Sequence, residues 1–320
     1  MADTNMPHMP APRVSVIIPS YNTASLIGRC LDSVFAQTYG SYEVIVVNDG
    51  SPDTSELERS LMSYLPRLVY LKQDNKGAAG ARNTAIRRAR GEFLAFLDSD
   101  DEWYFEHLAR QMEIFDSSAQ IDLVYSDSLI VTQGREWRFM QACPSHGEAT
   151  FEALVVERCQ IPVSTVVARK AAIVRAGLFD ENLRQCDDYD MWLRVAFYGG
   201  RIAYTEGVQA RLAGLRPGSL GLSNVKMLKA CADILDKIGG SLPLTESQTA
   251  LVQTRGAKIK ALYCWEQGKL HLFRREFEKA RDCISKANAF LRTPKLAVVC
   301  LGLRFAPRTT RNLALYLARH

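Results

Sequence analysis

What the sequence lacks narrows its class before what it holds. No apolar run in the 320 residues approaches the ~20 needed to cross a bilayer as a helix. Residues 1–13, MADTNMPHMPAPR, have no apolar core of the kind a secretory leader carries, so a disordered tail on a cytoplasmic protein is expected. The eight cysteines include no CxxC pair and no His-rich spacing, which points to plain thiols and away from zinc or disulfides. Gly77-x-x-Gly80 lacks both the Lys-Ser/Thr of a phosphate loop and the GxGxxG of a dinucleotide fold. Acids are absent after Asp282, where seven bases stand: Lys286, Arg292, Lys295, Arg304, Arg308, Arg311 and Arg319. The remainder carries 33 bases against 35 acids, so the body has no basic excess of the kind that binds nucleic acid.

What is present reads as α/β. Val14–Ile18, Val44–Val47, Leu68–Leu71 and Phe93–Leu97 are short apolar runs of the length and type of buried strands, the first stopped by Pro19. Helical spacing fills the gaps, with Ser25 a candidate cap for the first helix and Asp53 or Thr54 for the second. Such alternation demands a mainly parallel sheet, whose ligands bind beyond the carboxyl ends of its strands. The polar clusters fall there: Pro19–Asn22, Asn48–Ser51, Asp74–Gly77 with Arg82, and Asp98–Asp101. In the last, three carboxylates within four residues repel one another unless a cation sits between them. A solvated acidic turn is the plainer alternative for that cluster alone, but four clusters on one edge describe a site.

SVIIPSYN, VIVVNDGSPD, NKGAAGARNTAI and FLAFLDSDD, in this order and spacing, resemble the family 2 glycosyltransferases over about residues 14–223. The resemblance implies a type A glycosyltransferase fold: a Rossmann-like, mainly parallel sheet with helices on both faces. It implies an inverting, metal-dependent enzyme using a nucleotide-diphospho-sugar, with UDP as the nucleotide. Tyr21 would flank the base and Asp49 would accept a hydrogen bond from it. Arg82 would lie near the base or the diphosphate, and Asp98 would touch the ribose. Pro19, Asn22 and Ser99 would complete the donor site, with Mn²⁺ or Mg²⁺ on Asp100. In QCDDYDMWLR the family writes Glu-Asp before an aromatic residue, and its second acid is the general base. Asp187 then replaces the Glu and Asp188 takes the base position, while acids in a helix's first turn are otherwise common and functionally empty. Trp192 would floor the acceptor sugar beside Asp187, or serve as a core residue. In QARLAGLRPGSLG, where the family carries an Arg/His element and a Ser, Arg216 is the diphosphate candidate and Arg211 the alternative; the His is missing.

Three parts are expected: a tail over 1–13, the catalytic domain over 14–223 and an α-helical region over 224–320. Two helices of the last part, Leu251–Gly268 and Glu276–Leu291, read as a hairpin. Beyond Pro294 apolar faces combine with solely basic charge, which suits either an interfacial helix on anionic lipid or a packed final helix. The expected partners are a nucleotide-sugar and a sugar or lipid-linked glycan acceptor, in surface polysaccharide assembly at the inner face of the membrane. A non-catalytic sugar-nucleotide-binding module and a sugar nucleotidyltransferase are the alternatives. The second needs a Gly-rich, Arg-Lys-bearing loop after the first strand, and PSYNTAS is not one.

Overall fold

A computed structural model describes residues 11–132, 135–142, 149–214, 224–307 and 310. The chain divides into two compact units, Met1–Arg216 and Pro217–His320.

The first unit opens with β1 (Val14–Ser20), α1 (Ile27–Phe35), β2 (Tyr42–Asp49), α2 (Thr54–Leu61), β3 (Val69–Gln73), α3 (Gly77–Arg88) and β4 (Phe93–Phe96). It continues with β5 (Glu102–Trp103), α4 (His107–Ser117), β6 (Ile121–Thr132), β7 (Arg135–Arg138), α5 (Phe139–Ala142) and α6 (Phe151–Val155). β8 (Val167–Arg169), α7 (Lys170–Arg175), α8 (Asp187–Phe197) and β9 (Arg201–Ala213) complete it. The sheet order is β3-β2-β1-β4-β8-β6-β9-β5, with β7 hairpinned onto β6. β3, β2, β1 and β4 run parallel; β8 is antiparallel to both β4 and β6, and β6 is parallel to β9. This is the mixed, mostly parallel sheet with flanking helices that the strand–helix alternation implies.

The runs VSVII and VIVV are buried on both faces because helices cover each side of the sheet, so both alternating sets of side chains need to be apolar. α1 buries Ile27, Cys30, Leu31 and Val34, one helical face. Strand order reverses between β1 and β4, and ligands of open α/β sheets bind in the crevice at such a switch point. The chain leaving β1 and the chain leaving β4 are therefore brought side by side.

Several local expectations are corrected. β1 does not stop at Pro19 but pairs with β2 as far as Ser20↔Asn48. On the β4 side the pairing ends at Ile17↔Phe96, with Leu97 N–H donating to Ile17 O, so Pro19 lies beyond the paired stretch there. Ser25 does not cap α1; Leu26 holds the cap position without a side-chain bond. Asp53 stands at the cap of α2, yet its carboxylate accepts from Ala24 N (2.8 Å) and from the Ser51 hydroxyl. Residues 163–168 form a 3₁₀ turn over Val163–Thr165 followed by the short β8.

The second unit holds α9 (Asn224–Ser241), α10 (Glu246–Phe273), α11 (Phe277–Leu291) and α12 (Pro294–Phe305). α10 starts with a capping box formed by Thr245 and Gln248. α10 and α11 make the expected hairpin, closing where Gly268 has no side chain: a Cβ there would lie 2.5 Å from Ile284. α9 runs on through Gly239 and Gly240 to Ser241.

Candidate active site

The turn after β4 separates the three carboxylates that the sequence crowds together. Asp101 N–H donates to Asp98 O (2.9 Å), and Asp98 N–H donates to the Ser164 hydroxyl (3.0 Å). Asp101 turns inward and is 7% exposed. Its carboxylate accepts from the Ser164 hydroxyl (2.6 Å) and from Ala213 N–H (2.7 Å) at the end of β9. Burial pushes its pKa well up, and the charges of Asp100 and Asp98 push it further. Asp98 and Asp100 remain partly exposed. Ser99, expected at the nucleotide-sugar, is buried instead: its hydroxyl meets Thr23 (2.8 Å), which meets Ser20 (2.9 Å). That chain of hydroxyls ties the β1 exit to the β4 exit and leaves Ser99 no face toward a ligand.

Arg82, on α3, is 3% exposed and joins two of the acids. One guanidinium nitrogen donates to Asp98 (2.6 Å) and the other to Asp187 (2.5 Å), while its ring-side face stacks over Phe179 at 5.4 Å. Burial alone would lower its pKa; Asp187, Asp98 and Asp188 together outweigh burial and raise it. Each terminal nitrogen of Arg82 donates to a protein carboxylate, its buried Nε has no hydrogen-bond partner among the described residues, and the side chain holds α8 against the β4 exit.

α8 begins abruptly, at Cys186 in the left-handed region (φ 57°). For a residue with a Cβ this costs of the order of 1–3 kcal/mol and persists only where surrounding contacts impose it. Three acids follow in the first turn. Asp187 goes to Arg82 and is 7% exposed, so it is a partner of the arginine and not an acceptor-side residue. Asp190 is fully buried against Arg194 (2.6 Å), whose guanidinium also holds the Ala176 and Leu178 carbonyls. Asp188 is only half-buried and accepts from Tyr189 N–H (2.8 Å). Burial raises its pKa to about 7, as does the charge of Asp187; Arg82 pulls the other way. A carboxylate poised near neutrality is what a general base requires. Trp192 is 1% exposed, donates to Ile161 O (3.1 Å) and packs on Phe96 and Phe179. It is a core residue, not the floor of an acceptor site.

On the nucleotide side, Tyr21 is 51% exposed just beyond the end of β1 at Ser20. Asn22 takes positive φ (55°) and its N–H donates to the Ser51 hydroxyl (2.6 Å). Asp49 is 2% exposed; it accepts from Gln73 Nε2 (2.7 Å) and from the N–H groups of Lys76 and Gly77 (both 2.8 Å). It thereby fixes the N-terminus of α3, which presents its helix dipole to the same edge. Arg216 lies outside the described residues. Arg211, the alternative, pairs with Glu136 (2.9 Å) and Glu102 (3.7 Å).

Sequence reasoning passed over Ser164, which fastens both Asp98 and Asp101, and Arg194. Ser164 sits in an apolar run 63 residues from Asp101 and carries no motif. Asn83 exchanges two hydrogen bonds with the Phe179 backbone (2.8 and 3.0 Å).

Among the described residues no group of three or more His, Cys, Asp or Glu side chains is set to hold a metal alone. The donor set nonetheless fits Mg²⁺ or Mn²⁺, because such ions are held by one or two carboxylates together with substrate phosphates. Asp100, with Asp98 beside it, offers that number, and both are partly exposed at the turn.

The family described as "Glycosyl transferase family 2" matches residues 15–171. The chain is 30% identical over 222 residues to an Escherichia coli protein named UDP-Glc:alpha-D-GlcNAc-diphosphoundecaprenol beta-1,3-glucosyltransferase WfgD, covering 69% of this chain and 85% of WfgD. Other relatives are much longer: the match to an uncharacterized Rickettsia felis glycosyltransferase, 31% identical over 58% of this chain, spans only 31% of that protein. In fold, the chain resembles S. aureus TarS 1-349 in complex with UDP-GlcNAc, with TM-score 0.63 at 20% identity over 96% of this chain and 92% of that one. It also resembles the mannosyltransferase PcManGT from Pyrobaculum calidifontis in complex with GDP-Man and Mn2+, with TM-score 0.62 at 20% identity over 96% and 85%. The match to WfgD, 30% identical over more than two thirds of both chains, together with the matching family model, shows that the chain belongs to glycosyltransferase family 2.

Proposed function

We propose that the chain transfers a sugar from a UDP-linked donor to a hydroxyl of a lipid-linked glycan, inverting the anomeric carbon. The observation that carries this reading is Asp188: a half-buried carboxylate with pKa near 7, on the helix that Arg82 fastens to the β4 exit. In this reading Asp188 removes the proton from the acceptor hydroxyl, whose oxygen attacks the anomeric carbon from the face opposite the diphosphate. The proton ends on Asp188, the sugar on the acceptor, and UDP leaves with the bonding electron pair. No covalent sugar–enzyme bond is formed, so no nucleophile is assigned to the protein. Base catalysis of this kind contributes roughly 10²–10⁴-fold. Exposed Tyr21 flanks the base of the nucleotide, and the fixed N-terminus of α3 favours the anionic end of the donor. Asp100, with Asp98 beside it, would hold the divalent cation, whose charge would offset that of the leaving diphosphate. The UDP donor and lipid-linked acceptor are supported by the names of TarS's ligand and of WfgD, and the Mn²⁺ by that of the mannosyltransferase complex.

The metal assignment is tested at Asp100. In calorimetric titrations of UDP with and without Mn²⁺, Asp100→Ala is expected to lose the Mn²⁺-dependent part of the affinity and to keep the wild-type melting temperature. A Mn²⁺ enhancement that survives the substitution removes Asp100 from the metal site.

A further inference from the structure

α12 is apolar on two opposite sides, more than packing on the hairpin requires. Leu296, Val299 and Leu303 are buried in the small core shared with α10 and α11. At about 100° per residue, Val298, Leu301 and Phe305 fall on the far side. These three are 55%, 62% and 73% exposed. Lys295 and Arg304 are exposed too, and the same helical geometry sets them on either flank of that stripe. The Arg304 guanidinium lies 5.7 Å from the Phe305 ring. No Asp or Glu follows Asp282 in the sequence, so every charged side chain after it is a base.

We propose that the outward face of α12 docks on an anionic lipid surface, with Val298, Leu301 and Phe305 entering between headgroups and Lys295 and Arg304 resting on lipid phosphates. An apolar stripe flanked by bases is the pattern of a helix lying in the plane of a membrane interface. Here the side that would face water in an isolated helix is packed on α10 and α11 instead. Twelve residues make a helix of only ~18 Å. Among the described residues no helix is long and apolar enough to cross a membrane, so α12 lies on the surface and does not span it. A second copy of this chain is a poor occupant, because pairing this face with itself sets bases against bases. The proposal rests on the second unit alone and stands whether or not sugar transfer is read correctly.

The test is cosedimentation of the full chain with vesicles of mixed phosphatidylglycerol and phosphatidylcholine, and with phosphatidylcholine alone, at low and high salt. Binding to the anionic vesicles only, weakened by salt, is the expected result. Leu301→Glu with Phe305→Glu, both at exposed positions, is expected to abolish binding while leaving the melting temperature and UDP affinity unchanged. Lys295→Gln with Arg304→Gln is expected to lower partitioning about 25-fold, at about fivefold per base. Binding to neither vesicle, equal binding to both, or full binding by the double glutamate variant overturns the proposal. So does a double glutamate variant that changes the sedimentation mass of the free protein but not its vesicle binding, which would assign the face to a protein contact.

Discussion

Asp188→Asn is expected to lower turnover by roughly 10²–10⁴-fold while leaving donor affinity within a few-fold of wild type. The substitution keeps the shape of the side chain and removes only its ability to take a proton. The wild-type enzyme carries a further signature. Because the pKa of Asp188 is raised to about 7, by burial first and by Asp187 second, the base is protonated and idle below that value. The rate should therefore climb with pH through about 7 and level off above it, a limb that Asp188→Asn should lack. Stopped assays of UDP release across pH 5.5–9, on both proteins, check the size of the loss and the limb together. A rate-limiting acid limb that persists in Asp188→Asn would assign the titration to another group.

The second large effect is expected at Arg82. Arg82→Ala strands Asp187, a buried carboxylate, beside Asp98 and Asp188 without the guanidinium that pairs it. Removing one partner of a buried ion pair costs roughly 3–5 kcal/mol. The lower end is expected here, since the Asp98 side chain is 35% exposed and water can relieve it. The activity that remains should move in a defined direction. The charge of Arg82 pulls the pKa of Asp188 down, so its loss lets that pKa rise above about 7 and shifts the acid limb to higher pH. Turnover at neutral pH then falls more than turnover at pH 9. Arg82→Lys should restore part of the stability, because one ammonium cannot bridge two carboxylates as a planar guanidinium does. Thermal unfolding and the pH–rate profile are the two measurements. A variant with unchanged melting temperature and unchanged limb would mean that the bridge contributes nothing in solution.

The parts of this molecule legible in its sequence are those where one residue's environment is set by its neighbours in the chain. VSVII, VIVV and FLAFL read as strands because burial on both faces leaves a continuous apolar run, which needs no knowledge of what lies alongside. The convergence of polar clusters at the strand ends follows from the same alternation. Pro19 was less legible, because whether a strand tolerates proline depends on how far its neighbour extends, and β4 ends short. The acids of QCDDYDMWLR could not be sorted by composition. Asp187, Asp188 and Asp190 differ in what they face, and two of the deciding partners, Arg82 and Asp98, lie about a hundred residues away in the chain or nearly so. Trp192 carried no mark in its own neighbourhood to separate a sugar platform from a core residue; Phe96 and Phe179, which bury it, come from other elements. Ser99 looked like a ligand residue because it stands between ligand-type acids, yet its hydroxyl points back into the loop that Thr23 and Ser20 make.

The central claim is direct displacement at the anomeric carbon with Asp188 as the base, and its stereochemistry can be read in one experiment. The purified chain, with Mn²⁺ and an α-linked UDP-sugar that it turns over, is given a short-chain analogue of a lipid-diphosphate-linked sugar as acceptor. The anomeric coupling of the new linkage is then recorded by proton NMR before any slower rearrangement. A single displacement predicts a β-linked product from the α-linked donor. An α-linked product would contradict the account, since retention requires either a second displacement or front-face attack, and neither uses Asp188 in the role proposed.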